Sequence, residues 1–292
     1  MTGAPRTIRL IYPQWQGADI SSLLKELPAD DASRGYYLGA ELLNFLAPDN
    51  DAQKTLTVPV CTEITQRKVC DGVLDRDVIF AQTKSALEIL KNENPERIIV
   101  LGGECSVSVA PFTYLAGKYG DDTAVIWIDA HPDITLPGDS YHGYHAMAAA
   151  ALAGMGDEKI ISLLPARIDP SKILFVGLRD WERDEIKERQ IKFGMKHINA
   201  HDVSETSAPV TDWLESKGIK NVLIHFDLDV LDPAQIIPAV GVVPGGIKLE
   251  EVTRLINDIS DHSCLKALTI AEPMPRVAIR LKTMMENLPL FK

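Results

Sequence analysis

Six short runs of this chain are almost continuously apolar, and stretches with helical spacing separate them. The runs are residues 7–12, 97–101, 124–128, 173–176, 221–226 and 265–270. A strand with one face in water alternates apolar and polar residues. A strand covered on both faces does not, and that pattern belongs to parallel sheets enclosed by helices. Residues 38–45, 78–92, 106–119, 144–153, 182–190, 210–217 and 249–259 carry the helical pattern. Regular β–α alternation leaves little room for anything but a three-layer α/β/α arrangement around a mostly parallel sheet. No linker, repeat or low-complexity tract interrupts it, so residues 1–292 are expected to form a single domain. Residues 28–33 and 47–53 read as acidic, turn-rich loops. Residues 233–246, with three prolines and three glycines, read as a long loop of the kind that serves a site.

Charge narrows the partners. Lysine and arginine total 30 against 41 acidic residues, a net charge of −11. Such a surface repels nucleic acid and anionic membranes. The longest charged stretch, residues 179–189, mixes both signs as a solvated helix face does. Neither nucleic acid nor a membrane is expected as a partner. No apolar run approaches the roughly 20 residues of a membrane span. The opening residues lack the apolar core and cleavage site of a secretory leader. Cys61, Cys70, Cys105 and Cys264 form no Cys-x-x-Cys pair, which argues against a zinc knuckle or a redox motif. A reduced, cytoplasmic protein is the expectation.

Ligands of open α/β sheets bind at the carboxyl ends of the strands. Here four strand ends carry chemistry. Residues 97–101 run into Gly102-Gly103-Glu104-Cys105-Ser106, and residues 124–128 into Asp129-Ala130-His131-Pro132-Asp133. Residues 221–226 run into Asp227-Leu228-Asp229, and residues 265–270 into Ala271-Glu272-Pro273. In an extended chain alternate side chains share a face, so Asp129, His131 and Asp133 are expected to point one way, as are His225, Asp227 and Asp229. An isolated Asp-x-Asp after a strand is usually a turn, and a lone histidine there usually packs. Two such clusters, one with a histidine in phase, favour a cation site. Carboxylates this dense repel one another without a counter-charge, and one or two divalent cations supply it. Mixed carboxylate and imidazole donors suit manganese, iron, zinc or nickel better than calcium.

These segments carry a family resemblance. IDAHPDI resembles the Asp-Ala-His-x-Asp signature of the ureohydrolases, the arginase and agmatinase family, and HFDLDVLDP is similar to its Ser-x-Asp-x-Asp-x-x-Asp-Pro signature. GGECSVS, PAVGVVPGGIKLEE and LTIAEPMP resemble three further segments, in family order, across residues 101–275. The resemblance implies the three-layer fold, which histone-deacetylase-like proteins share. It implies a binuclear, manganese-type site at which hydroxide attacks a guanidinium or amidine carbon, and a homo-oligomer. Asp129 and Asp227 would bridge two metals, His131 and Asp229 would complete one, and Asp133 with position 105 would hold the other. Asp133 or Asp229 would orient the nucleophile, Glu272 would bind a small cationic substrate, and His145 would pass a proton to the leaving amine.

Three departures mark a divergent branch. Position 105 is cysteine where the family has a ligating histidine; it reads as a softer metal ligand, as a buried thiol, or, less favoured, as a nucleophile at a helix start. Position 225 is histidine where serine or threonine is usual; we read it as a partner orienting a carboxylate, with a compensating metal ligand and a packed core histidine as the other readings. Residues 134–147 lack the polar pattern that holds an amino-acid substrate, so arginine is not carried over. His142, three residues before His145, is expected on the same cleft, and Glu104 behind the ligands. Two other functions remain open: a single-metal, deacetylase-like amide hydrolase using Asp129, His131 and Asp227, and a non-catalytic member that binds a partner or a cationic metabolite.

Overall fold

The computed structural model describes residues 6–64 and 66–291; the leader-free reading of residues 1–5 lies outside them. Among the described residues ten strands follow in chain order: β1 (Thr7–Tyr12), β2 (Lys54–Thr57), β3 (Val69–Cys70), β4 (Val73–Leu74), β5 (Arg97–Gly102), β6 (Thr123–Ile128), β7 (Ile173–Val176), β8 (Lys196–Ile198), β9 (Asn221–Asp227) and β10 (Cys264–Ala271). Eight of them form one sheet in the order β2-β1-β5-β10-β9-β6-β7-β8. Every pairing within it is parallel. β3 and β4 make a small antiparallel hairpin apart from it.

The apolar runs are central strands with both faces covered. All six residues of β6 are buried. Val125 and Trp127 pack into one core, with Ile79, Ala86 and Leu90 of the helix Arg76–Glu93 and Phe112 and Leu115 of the helix Val109–Tyr119. Ala124, Ile126 and Ile128 pack into the other, with Leu214 of the helix Ala208–Ser216 and Val252, Leu255 and Ile259 of the helix Leu249–His262. Those last three recur at helical spacing, which turns one apolar stripe toward the sheet. The helix starts where the Glu251 carboxylate accepts the Lys248 N–H at 2.9 Å, satisfying a donor that the first turn leaves without a partner.

The six expected strands are present in a three-layer α/β arrangement. The structure adds β2 and β8, which were not expected. Both lie at sheet edges and are short and largely exposed, so neither carries an apolar run. Residues 28–33, expected as loop, contain the short helix Ala29–Ser33, with Asp30 and Asp31 in its first turn and Ala32 buried; acidic residues suit a helix N-terminus. The helix Arg276–Glu286 was also not expected, because Ile279 is its only buried residue. Among the described residues no helix is long and apolar enough to cross a membrane.

Register sets the site. Leu101 of β5 lies beside Ile270 of β10, Ala271 of β10 beside Asp227 of β9, and Ile128 of β6 beside Phe226 of β9. The carboxyl ends of the four middle strands, β5, β10, β9 and β6, therefore finish at one level. The segments that follow β5, β6 and β10, with the last residue of β9, are those singled out in the sequence.

Candidate metal centre and active-site cleft

A cleft of about 270 Å³ opens above these strand ends, lined by Cys105, His131, Asp133, His145, Asp227, Asp229 and Glu272 among others. Its size is near the lower end of small-molecule sites, about 300–1,000 Å³. Asp129 lies fully buried beneath it.

Local geometry differs from simple strand alternation. Alternation places Trp127 and Asp129 on one face, and His225 and Asp227 on the matching face of β9, where Trp127 is in register with His225. Past the strand ends, turns take over. The His131 N–H donates to Asp129 Oδ1 at 2.7 Å, and the Asp229 N–H to Asp227 Oδ1 at 2.6 Å. Asp133 has φ +48°, so residues 129–133 are not extended. Asp133 reaches the cleft because its backbone turns, while its carbonyl accepts from Ala149 and Ala150 at the start of the helix Ala148–Leu152. Asp133, expected to share a face with Asp129 by alternation, and Asp229, expected likewise with Asp227, arrive by turns instead.

The donors sit close together. Cys105 Sγ lies 2.9 Å from Asp227 Oδ2 and 3.4 Å from Glu272 Oε1. His131 Nδ1 lies 2.9 Å from Asp229 Oδ2 and 3.6 Å from Asp129 Oδ1. One donor atom from each of Asp129, His131 and Asp229 falls within 4.8 Å of the others, and so does a second set from Cys105, Asp129, His225 and Asp227. Outer partners fix the carboxylates: Trp127 Nε1 donates to Asp129 Oδ2 at 2.8 Å, and the Ala130 N–H to Asp229 Oδ1 at 3.2 Å. Gly241 packs so near that a Cβ there would stand 2.6 Å from Asp229 Oδ2, which ties the long loop 233–246 to the site.

His145 lines the cleft, its Nδ1 3.5 Å from Glu272 Oε1 and its Nε2 2.7 Å from the Tyr141 hydroxyl. Tyr141 was not anticipated, although its spacing of four residues from His145 was a usable signal. Tyr36, buried beside Glu272, comes from a helix with no motif, and nothing in the sequence pointed to it. One expected residue is placed elsewhere. His142 Nδ1 bonds the Gly72 carbonyl at 3.2 Å, anchoring the β3–β4 turn, so it does not share the cleft with His145. Glu104 is buried in a network with Gln14 Nε2 at 2.6 Å and the Ser106 hydroxyl at 2.8 Å. It also caps the turn that starts at Cys105 by accepting the Ser106 N–H.

The electrostatics favour a cation. Asp129, Asp133, Asp227, Asp229 and Glu272 are all buried, and among the described residues no lysine or arginine lines the cleft. Asp133 Oδ2 and His225 Nε2 are buried with no hydrogen-bond partner. Burial, then the Asp229 charge, pushes the Asp129 carboxyl up to about 7. Burial and neighbouring carboxylates push Asp227 and Asp133 well above the ordinary range. They raise the Cys105 thiol in the same way. Burial acts to lower His131, but Asp229 and Asp129 outweigh it and hold the imidazole well above its usual value. Burial acts to raise Asp229, but His131 outweighs it and holds that carboxyl at about 2. Uncompensated buried carboxylates cost several kcal/mol each. A set of oxygen, nitrogen and sulfur donors that includes buried atoms without a hydrogen-bond partner fits divalent cations.

These shifts predict how the metal-stripped chain responds to pH. A carboxyl raised by folding, such as Asp129, stabilises fully below its ordinary value of 3.8 and loses that contribution as pH climbs through about 7. The raised His131 loses its contribution in the same direction. Asp229, held at about 2, costs stability only when pH falls below its ordinary 3.8. His225, which burial lowers to about 3, acts the other way and gains stability as pH rises toward its ordinary 6.5. The raised carboxyls of Asp129, Asp133 and Asp227 outnumber it, so the melting temperature in chelator is expected to fall between about pH 4 and pH 7. A divalent cation should restore it at neutral pH. A melting temperature that climbs across this interval in chelator would contradict the assigned charges.

Fold and site together define a parallel α/β protein with a buried, acid-rich cation centre at its strand ends. The arginase family model matches residues 45–286, and the chain belongs to the arginase family. The arginase of Staphylococcus aureus strain COL is 29% identical over 191 residues, which is 63% of this chain and 63% of that protein. The arginase of Entamoeba histolytica is 31% identical over 186 residues, 62% of each chain. The crystal structure of the Entamoeba histolytica arginase in complex with L-ornithine superposes with a TM-score of 0.74, at 22% identity over 96% of each chain.

Proposed function

We propose that this protein is a metal-dependent hydrolase of a non-peptide C–N bond in a small guanidino or amidino cation that carries no carboxylate. The observation that carries the proposal is the cleft itself. Its floor is five buried carboxylates with two histidines and a thiol. Its wall includes Ile20, Leu23, Ile134, Ile186 and Val240. Such a cleft attracts positive charge. With no lysine or arginine among its described lining residues, it has no cationic side chain to pair with a substrate carboxylate. An amino-acid guanidine such as arginine is a poorer fit than a simple alkyl guanidine.

Asp129 and Asp227 would be shared between two cations. His131 and Asp229 would complete one, and Cys105 and Asp133 the other. What divalent cations bring to such a donor set is Lewis acidity and the ionisation of water near neutral pH. The chain's own residues do the rest. Asp133 or Asp229 accepts a hydrogen bond from the attacking water and orients it. Glu272 holds the substrate cation above the centre. His145, gripped between Tyr141 and Glu272, delivers a proton to the departing amine, a task for which an imidazole is suited near neutral pH. The apolar wall keeps bulk water off the charged end.

The test is metal content and turnover together. The protein is reloaded separately with manganese, zinc, iron and nickel, counted by elemental mass spectrometry, and assayed for urea or ammonia release. The panel includes alkyl guanidines, amidines, arginine and acetylated amines. About two metals per chain, with alkyl guanidines or amidines turned over in preference to arginine, is the expected result. About one metal with release from acetylated amines would replace this reading with deacetylase-like chemistry. No binding of any metal would leave a protein that binds without turnover.

A further inference from the structure

We propose that His225 is itself a metal ligand, giving the Cys105 side of the centre an imidazole from β9 in place of one at position 105. This rests on the metal-centre reading above and extends it to a residue that otherwise reads as packing. His225 is completely buried. Its ring stacks on Trp127, centroids 3.6 Å apart and planes at 12°, so it cannot swing away. Nδ1 is held by the Ser108 hydroxyl at 2.8 Å. Nε2 has no hydrogen-bond partner, and a ring nitrogen of His225 belongs to the set in which donor atoms of Cys105, Asp129, His225 and Asp227 lie within 4.8 Å of one another.

The geometry separates a ligand from an orienting partner. A histidine that orients a carboxylate donates Nε2–H to it within hydrogen-bond distance, and here no such bond forms. If Nδ1–H donates to Ser108, Nε2 keeps a buried lone pair that no donor fills, on a ring that stands among the carboxylates and the thiol. That arrangement is unfavourable by itself and favourable once a cation sits between them. Ser108 is then the outer partner that a ligating imidazole ordinarily has on its other nitrogen. Trp127 serves the centre twice, stacking on His225 and donating to Asp129.

The donor set that results is one sulfur, one nitrogen and two carboxylates, with Asp133 adjoining. Thiolate and imidazole favour zinc, cobalt or iron over manganese. The two cation positions should therefore differ in preference, the Cys105–His225 position taking the softer ion.

Zinc X-ray absorption of the fully loaded wild-type chain tests this without a substitution. The proposal expects about one imidazole per zinc averaged over both positions, from His131 and His225, and one sulfur per pair. About half an imidazole per zinc would overturn it. His225→Gln, loaded with cobalt(II), should bind one of the two ions more than about 100-fold more weakly, beyond the 10–100-fold loss typical of an orienting partner. Its visible cobalt bands should shift. Ser108→Ala, which keeps Nε2, should lose no more than that smaller range. Two tightly held metals and an unchanged cobalt spectrum in His225→Gln would overturn this inference and leave the proposed function standing. Absence of metal from the wild type would overturn the function instead.

Discussion

Replacing Asp227 with asparagine is expected to strip metal from the centre and to make the metal-free chain more stable. Asparagine keeps the shape and can still accept the Asp229 N–H at the position of Oδ1, now 2.6 Å away, so the turn after β9 survives. What disappears is a buried negative charge that touches Cys105 Sγ at 2.9 Å and that folding forces toward its protonated form. Loss of an orienting partner costs about 10–100-fold in metal affinity. A carboxylate that serves both cations, as proposed for Asp227, should exceed the upper figure, and the proposed hydrolysis should fall by more than about 100-fold with it. The opposite sign in stability follows from the same charge. In chelator at neutral pH the variant should melt higher than wild type, because a function-bearing repulsion has been removed. Elemental analysis and paired melting curves, with and without cation, read both effects. Wild-type metal content in the variant would remove Asp227 from the centre.

The middle of the sheet was legible because burial on both faces leaves no ambiguity in composition. Residues 124–128 are apolar throughout, and every residue of β6 is buried. The edges were not, since Lys54–Thr57 pairs on one side only and stays largely exposed. Strand ends also named most of the donors, because the sheet delivers them at fixed places. The route by which they converge lay outside sequence reasoning. Asp133 and Glu272 both sit at positive φ, +48° and +65°. Such a backbone costs a non-glycine residue of order 1–3 kcal/mol and persists only where its surroundings hold it. For Glu272 the anchor is its N–H, which donates to the Gly103 carbonyl at 2.7 Å. Gly103 is itself fixed as glycine, since a Cβ there would stand 1.8 Å from the Gln14 carbonyl oxygen. Spacing within one motif cannot reveal a contact between β1's exit, β5's exit and β10's exit. His142 shows the reverse error: proximity in sequence to His145 suggested a shared cleft, but the chain turns between them and His142 anchors a hairpin.

Glu272→Gln should separate holding the substrate from holding the metal. Glu272 lies at the junction of the two tasks: Oε1 meets the Cys105 N–H at 3.2 Å, Cys105 Sγ at 3.4 Å and His145 Nδ1 at 3.5 Å. Asp129, Asp227 and Asp229 belong to the two other donor sets, which Glu272 does not join. Glutamine fills the same volume and still accepts hydrogen bonds through its carbonyl, but it offers no charge to a guanidinium. Truncating one partner of a buried, hydrogen-bonded charge pair costs about 2–5 kcal/mol, or roughly 30-fold to several thousand-fold in kcat/KM. That loss should be confined to cationic substrates. A neutral amide of similar shape, processed slowly by the wild type, should be hydrolysed by the variant at a rate within a few-fold of it. Metal stoichiometry should stay at its wild-type value. Steady-state kinetics on the charged and neutral pair, with metal counted in the same samples, distinguishes the outcomes. Equal losses on both substrates with metal retained would mean that Glu272 acts through His145 rather than on the substrate. Loss of metal would make it a ligand, because Cys105, His145 and Glu272 also bring donor atoms within 4.8 Å of one another.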